Sequence, residues 1–101
     1  MSLIWARMIK SYRDKDTERI ATGRNSRRLP AAIQRRARMR LERIDAAVEL
    51  EDLRVPPSHR LEMLKGKRAG RYSIRINDQW RVCFEWRDGN AYEVEIVDYH
   101  R

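Results

Sequence analysis

Cysteine is nearly absent from this 101-residue chain: Cys83 stands alone. One cysteine makes neither an internal disulfide nor a cysteine-rich zinc site, and such usage fits a reducing cytoplasm. No apolar run approaches the roughly 20 residues a membrane helix needs, so no membrane partner is expected. The only histidines are His59 and His100, and no ligand spacing joins them into a metal site. There is no internal repeat and no Ser-His-Asp order. Lys65-Gly66 does not belong to a phosphate loop, because the glycine spacing fails and no Ser or Thr follows the lysine. No metal and no cofactor are expected. The opening stretch, residues 1–7, is too short for a signal peptide. Met8 offers an alternative start, so residues 1–7 read as an extension or an added segment and 8–101 as the single domain.

What the chain has in excess is positive charge. Lysine and arginine total 23 against 15 acidic residues, a formal charge of +8. Residues 1–48 hold 13 basic and 5 acidic side chains, whereas residues 49–101 hold 10 of each. The first half therefore carries the whole excess, a field that attracts polyanions, nucleic acid first. In the second half the cations sit among anions at defined places.

Ile9-Lys-Ser-Tyr12 reads as a short strand. Asp14 to Asp16 offer caps for a short helix over about residues 16–22, stopped by Gly23. Residues 24–28 read as a basic loop. The clearest helix is 30–48: Pro30 suits its first position, and Ile33, Ala37, Leu41, Ile44 and Val48 form one apolar stripe. Arg35, Arg36, Arg38, Arg40 and Arg43 occupy much of the rest, either as a solvated face or as a rail for RNA phosphates. Pro56-Pro57 marks a turn or extended link.

From Leu61 onward the period becomes two. Tyr72, Ile74 and Ile76 alternate with polar residues. So do Trp80, Val82, Phe84 and Trp86, and then Tyr92, Val94 and Ile96. Asn77-Asp78 and Asp88-Gly89-Asn90 are hairpin chemistry. The plan is β-α-α-β-β-β, with a further short strand near 61–65.

A first hairpin turning over 77–79 sets Arg75 directly opposite Arg81. Two like charges in that relation are unfavourable, and either a bound anion or the nearby Glu85, Glu93 and Glu95 would relieve them. Asp98-Tyr99-His100 places an acid, a phenol and an imidazole side by side at the end of the last strand. These groups handle protons, although last residues often fray.

The segments Leu41-Glu-Arg-Ile-Asp-Ala-Ala47, Leu64-Lys-Gly66, Gly70-Arg-Tyr-Ser-Ile-Arg-Ile-Asn-Asp-Gln-Trp-Arg-Val-Cys-Phe84 and Val97-Asp-Tyr-His100 together resemble the HigB branch of the RelE/ParE toxin superfamily. The likeness runs from Met8 to His100. It implies an α+β fold, two N-terminal helices packed on a small, mainly antiparallel twisted sheet. It implies a cytoplasmic toxin that binds the decoding site of the ribosome and cuts mRNA there. It also implies inhibition by a HigA-like helix-turn-helix antitoxin, with operator DNA touched only indirectly through that antitoxin.

The family's functional positions fall on Lys65, Arg81, Asp98, Tyr99 and His100. Some relatives carry a histidine where this chain has Glu62, which puts full catalytic strength in question. In the mechanism so implied, Arg81 and Lys65 meet phosphate charge, helped by Arg75. His100 or Glu62 moves protons, Asp98 orients His100, and Tyr99 stacks on a base or holds the backbone. Two rival readings are a ParE-like gyrase inhibitor and a non-catalytic basic RNA-binding protein, since one fold serves several functions.

Overall fold

The computed structural model describes residues 8–66 and 70–99. The first helix, α1 (Lys15–Ala21), starts where Asp14 caps it, its carboxylate accepting from the Thr17 N–H at 2.6 Å. Such a cap contributes about 1 kcal/mol. Gly23, at φ +88, lets the chain turn away. The second helix, α2 (Ala31–Ala46), buries Ile33, Ala37, Leu41 and Ile44 on one stripe, as the spacing predicts. It stops short of Val48. Ala47 is extended, and the N–H groups of Val48 and Glu49 both donate to the Asp52 carboxylate at 3.0 Å. Those two bonds hold the Asp52 carboxyl below its usual range. They start a new 3₁₀ turn (Leu50–Arg54) and turn Val48 outward, 67% exposed. The link expected at 54–60 holds a second 3₁₀ turn, Pro57–His59.

The sheet is antiparallel throughout, in the order β1 (Glu62–Met63), β2 (Arg71–Arg75), β3 (Trp80–Arg87), β4 (Asn90–Asp98). The α+β expectation of two helices on a small sheet is met. Ile74, Ile76, Val82, Phe84 and Val94 lie wholly buried beneath α1 and α2, joined by Ile20, Ala37, Leu41 and Ile44. Thr17 fastens α1 to the sheet: its buried hydroxyl accepts from the Ile96 N–H at 2.9 Å.

Two strand expectations need correction, both because of Glu93. This residue sits at φ +51 in a bulge where the β3–β4 register slips by one. Cys83 faces Glu95 but Glu85 faces Tyr92, so Tyr92 leaves the inward set and shares the outer face with Glu85. The Arg87 guanidinium stacks over its ring at 4.0 Å. The segment 9–12, expected as a strand, makes only isolated parallel bridges to β4 at Ile9 and Tyr12. Between them the Ser11 hydroxyl, not a carbonyl, meets the Glu93 N–H at 2.8 Å.

Candidate active site

The outer face of the sheet, away from the helices, gathers the charged residues. Arg75 on β2 lies directly opposite Arg81 on β3, as the hairpin chemistry predicts. Each finds its own anion. Arg75 donates to the Asp78 carboxylate at the hairpin tip and holds that carboxyl below its usual range. Arg81 turns to the chain leading into β1: its Nη2 donates to the Arg60 carbonyl at 2.5 Å, and its Nη1 lies 3.7 Å from Glu62 Oε1. The Tyr99 ring stands 5.5 Å from the Arg81 guanidinium carbon, within cation–π range. Only 8% of Arg81 is exposed, and its Nε is buried with no hydrogen-bond partner among the described residues.

Glu85, Glu93 and Glu95, which the sequence offers as relief for the arginine pair, serve other cations. Arg71, 8% exposed, donates to Glu95 at 3.1 Å and to the Glu93 carbonyl at 3.2 Å, with Glu85 at 3.6 Å. Arg13 takes the same Glu95 oxygen at 3.1 Å. Among the described residues Glu62 is thus the carboxylate paired with Arg81, and its side chain is 55% exposed.

The remaining candidates divide. Tyr99 joins the Arg81 face, its N–H anchored on the Gln79 carbonyl at 2.5 Å. Asp98 pairs with Trp80 across β3–β4 and so projects to the opposite face, where its exposed carboxylate accepts from Gln79 Nε2 at 3.1 Å. Lys65 is exposed just after β1, followed by Gly66 in the left-handed region at φ +67. His100 lies outside the described residues.

Four of the five arginines on α2 are tied to backbone carbonyls. Arg36 reaches Ile76 at 3.3 Å and Arg40 reaches Arg75 at 2.7 Å. Arg43 reaches Val55 at 2.6 Å, while Arg38 reaches Ile20 and Arg24, both at 3.0 Å. Arg36 and Arg40, one turn apart, therefore pin the helix to the end of β2, where Arg40 is near enough to Arg75 for the two cations to repel. Burial lowers the Arg40 pKa from its usual value, with repulsion from Arg36, Arg75 and Arg43 adding to it. Arg35 is exposed beside an open groove of about 740 Å³ formed with the 25–30 loop. The face is thus less a free rail than a set of arginine clamps with cationic outer surfaces.

Sequence reasoning missed Arg60 and His59. His59 is fully buried, its Nδ1 donating to the Leu53 carbonyl at 3.1 Å. Burial pushes its pKa down, opposed by that hydrogen bond and reinforced by Arg40 and Arg43. Arg60, next in sequence, takes a left-handed conformation at φ 46, ψ 58. Glycine or asparagine would have signalled that bend in the sequence; an arginine there hides it.

The sequence that builds this face is similar to known proteins. Residues 10–100 match the model of a family described as the RelE-like toxin of type II toxin-antitoxin system HigB. The chain is 39% identical over 95 residues to Toxin HigB-1 of Vibrio cholerae serotype O1, covering 93% of this chain and 99% of that protein. It is 34% identical over 93 residues to Endoribonuclease HigB of Proteus vulgaris, covering 92% and 100%. A Haemophilus influenzae protein of no stated function is 32% identical over 64 residues, 63% of each chain. The chain belongs to the HigB family of RelE-like toxins of type II toxin–antitoxin systems.

Proposed function

We propose that this toxin is a metal-independent endoribonuclease that cuts mRNA on the ribosome, stops translation, and is neutralised by a HigA-like helix-turn-helix antitoxin. The antitoxin alone contacts operator DNA, and the toxin acts in the cytoplasm, where translation runs. The observation that carries the reading is the Arg81 site: a mostly buried guanidinium facing a second arginine, with a carboxylate and a phenol ring against it. The name of the Proteus vulgaris relative supports the same chemistry.

RNA supplies its own nucleophile. The 2′-hydroxyl loses its proton and attacks the adjacent phosphorus, a 2′,3′-cyclic phosphate forms, and the 5′-oxygen leaves with a proton. The protein has to accept one proton, donate another, and offset charge on the phosphate oxygens. Arg81 and Lys65 meet the phosphate, with Arg75 and the α2 arginines Arg35, Arg36, Arg38, Arg40 and Arg43 holding the RNA backbone. The Arg81 guanidinium holds the Arg60 carbonyl through Nη2 and so presents Nη1 to a phosphate oxygen in a fixed direction. Glu62 stands 3.7 Å from Arg81 Nη1 in the free protein, so an incoming phosphate competes with it. Once displaced, Glu62 is a candidate to take the proton of the 2′-hydroxyl. His100 is the other proton-transfer group, and Tyr99 stacks on a base; Asp98, on the opposite face, is assigned no role at this phosphate.

So sparse a catalytic set needs the RNA positioned for it, which the ribosome provides. The purified toxin should therefore cut mRNA on programmed ribosomes and leave naked mRNA largely intact. Equal cutting of both would remove the ribosome from the account.

A further inference from the structure

We propose that Arg60 is a positioning residue whose left-handed backbone, rather than its side chain, sets the Arg81 guanidinium for phosphate. The inference rests on the phosphate role given to Arg81 above. Among the described residues, the corner 59–62 supplies both polar partners of that guanidinium, the Arg60 carbonyl at 2.5 Å and the Glu62 carboxylate at 3.7 Å. Glu62 is exposed and displaceable, whereas the Arg60 carbonyl is not. His59 is wholly buried and tied to the Leu53 carbonyl, and the Arg60 N–H bonds back to the Pro57 carbonyl at 3.0 Å. The carbonyl is therefore fixed from the preceding residue, and it points at Arg81 only because Arg60 adopts φ 46, ψ 58.

That conformation is uncommon for a residue with a Cβ; Arg60 takes it as the cap that ends the 3₁₀ turn Pro57–His59, a position glycine or asparagine usually fills. Non-glycine residues held there by their surroundings cluster at functional sites. With Nη2 locked on the carbonyl, the guanidinium keeps one edge, Nη1, facing Glu62 and the solvent side. A substrate phosphate that replaces the carboxylate meets a donor already oriented.

The test separates backbone from side chain. Arg60→Asn and Arg60→Gly both accept the left-handed region, Arg60→Val resists it, and all three lack the guanidinium. Single-turnover cleavage is measured on programmed ribosomes, giving the maximal rate and the half-saturating ribosome concentration, with folding checked by circular dichroism. The Asn and Gly variants should keep the maximal rate within a few-fold. The Val variant should lose about a hundredfold, the scale of a 1 Å misplacement, with its half-saturating concentration little changed. A Val variant that matches Asn overturns the proposal, and so do three equally slow variants, which would place the effect in the side-chain charge.

If the Val variant does not fold, nitrogen-15 NMR of the wild type decides. A slowly exchanging Arg81 Nη–H signal, retained in Arg60→Asn, supports the carbonyl lock, and its absence from the wild type overturns it. Arg81→Ala in the same assay separates the two levels. If it is slow while Arg60→Val is fast, Arg60 alone is wrong. If it is as fast as wild type, the Arg81 reading falls and the positioning role falls with it.

Discussion

Replacing Arg40 and Arg35 by glutamine separates the two uses of a basic helix. Arg40 donates from Nε to the Arg75 carbonyl at 2.7 Å, joining α2 to the end of β2. A hydrogen bond from a charged group is worth about 1.5–3 kcal/mol when lost. Opposing that loss, the same side chain is partly desolvated and repelled by Arg36, Arg75 and Arg43, the causes that lower its pKa. Removing a cation from such a cluster recovers some of the loss, so the net destabilisation of Arg40→Gln should fall near the low end, about 1–2 kcal/mol. In a domain this size that lowers Tm by roughly 4–8 °C per kcal/mol.

Arg35 is exposed, and its replacement should leave stability within about 0.5 kcal/mol. It should instead reduce the salt slope of ribosome binding by roughly one. Urea denaturation and ribosome binding over a salt series give both quantities. An unchanged midpoint for Arg40→Gln would refute the clamp. An unchanged salt slope for Arg35→Gln would make that arginine plain solvated surface.

Three further outcomes follow from single contacts. The His59 pKa is lowered chiefly by burial, so the fold favours the neutral ring; its stabilisation is complete above the unfolded value of about 6.5 and is lost as pH falls below it. Denaturant melts between pH 7.5 and 5 should therefore be flatter for His59→Gln than for wild type, and parallel curves would refute the coupling. Thr17→Val keeps shape but removes the acceptor of the buried Ile96 N–H, and should cost about 1–3 kcal/mol by chemical denaturation, unlike Thr17→Ser; equal stability would mean that hydroxyl does not hold α1 to the sheet. Glu62→Gln should tighten ribosome-bound mRNA binding by removing the carboxylate that competes for Arg81. If Glu62 is the base, the same change slows cleavage by about a hundredfold to ten-thousandfold, whereas an undiminished rate assigns proton transfer to His100.

Periodicity carried most of this architecture. The α2 stripe, the hairpin at 77–79 and the Arg75–Arg81 pairing follow from spacing alone, because apolar positions and turn residues repeat there without interruption. It failed where tertiary contacts override the local pattern. Val48 continues the stripe in sequence, yet the Asp52 carboxylate captures two backbone N–H groups and ends the helix before it. Tyr92 alternates correctly on paper, but the bulge at Glu93 flips it. The α2 arginines looked like free charges because nothing local shows that carbonyls of β2 and of the 3₁₀ segment lie within their reach. Of the site, Glu62, Arg75, Arg81 and Tyr99 do come together. Asp98 is sent to the other face by strand alternation, and the roles of Arg60 and His59 depend on a backbone bend that their side chains do not advertise.

The central claim is that Arg81 meets the scissile phosphate of ribosome-bound mRNA, and single-turnover cleavage on programmed ribosomes tests it most directly. Wild-type toxin should cut within the ribosome-bound message. Arg81→Lys should lose much of the rate, because an ammonium lacks the fixed fork that holds the Arg60 carbonyl on one nitrogen while aiming the other at phosphate. Arg81→Ala should lose more, roughly 10²–10³-fold, the range for removing one donor to developing charge, while ribosome binding survives in part. A folded Arg81→Ala protein that cuts at the wild-type rate would contradict the account.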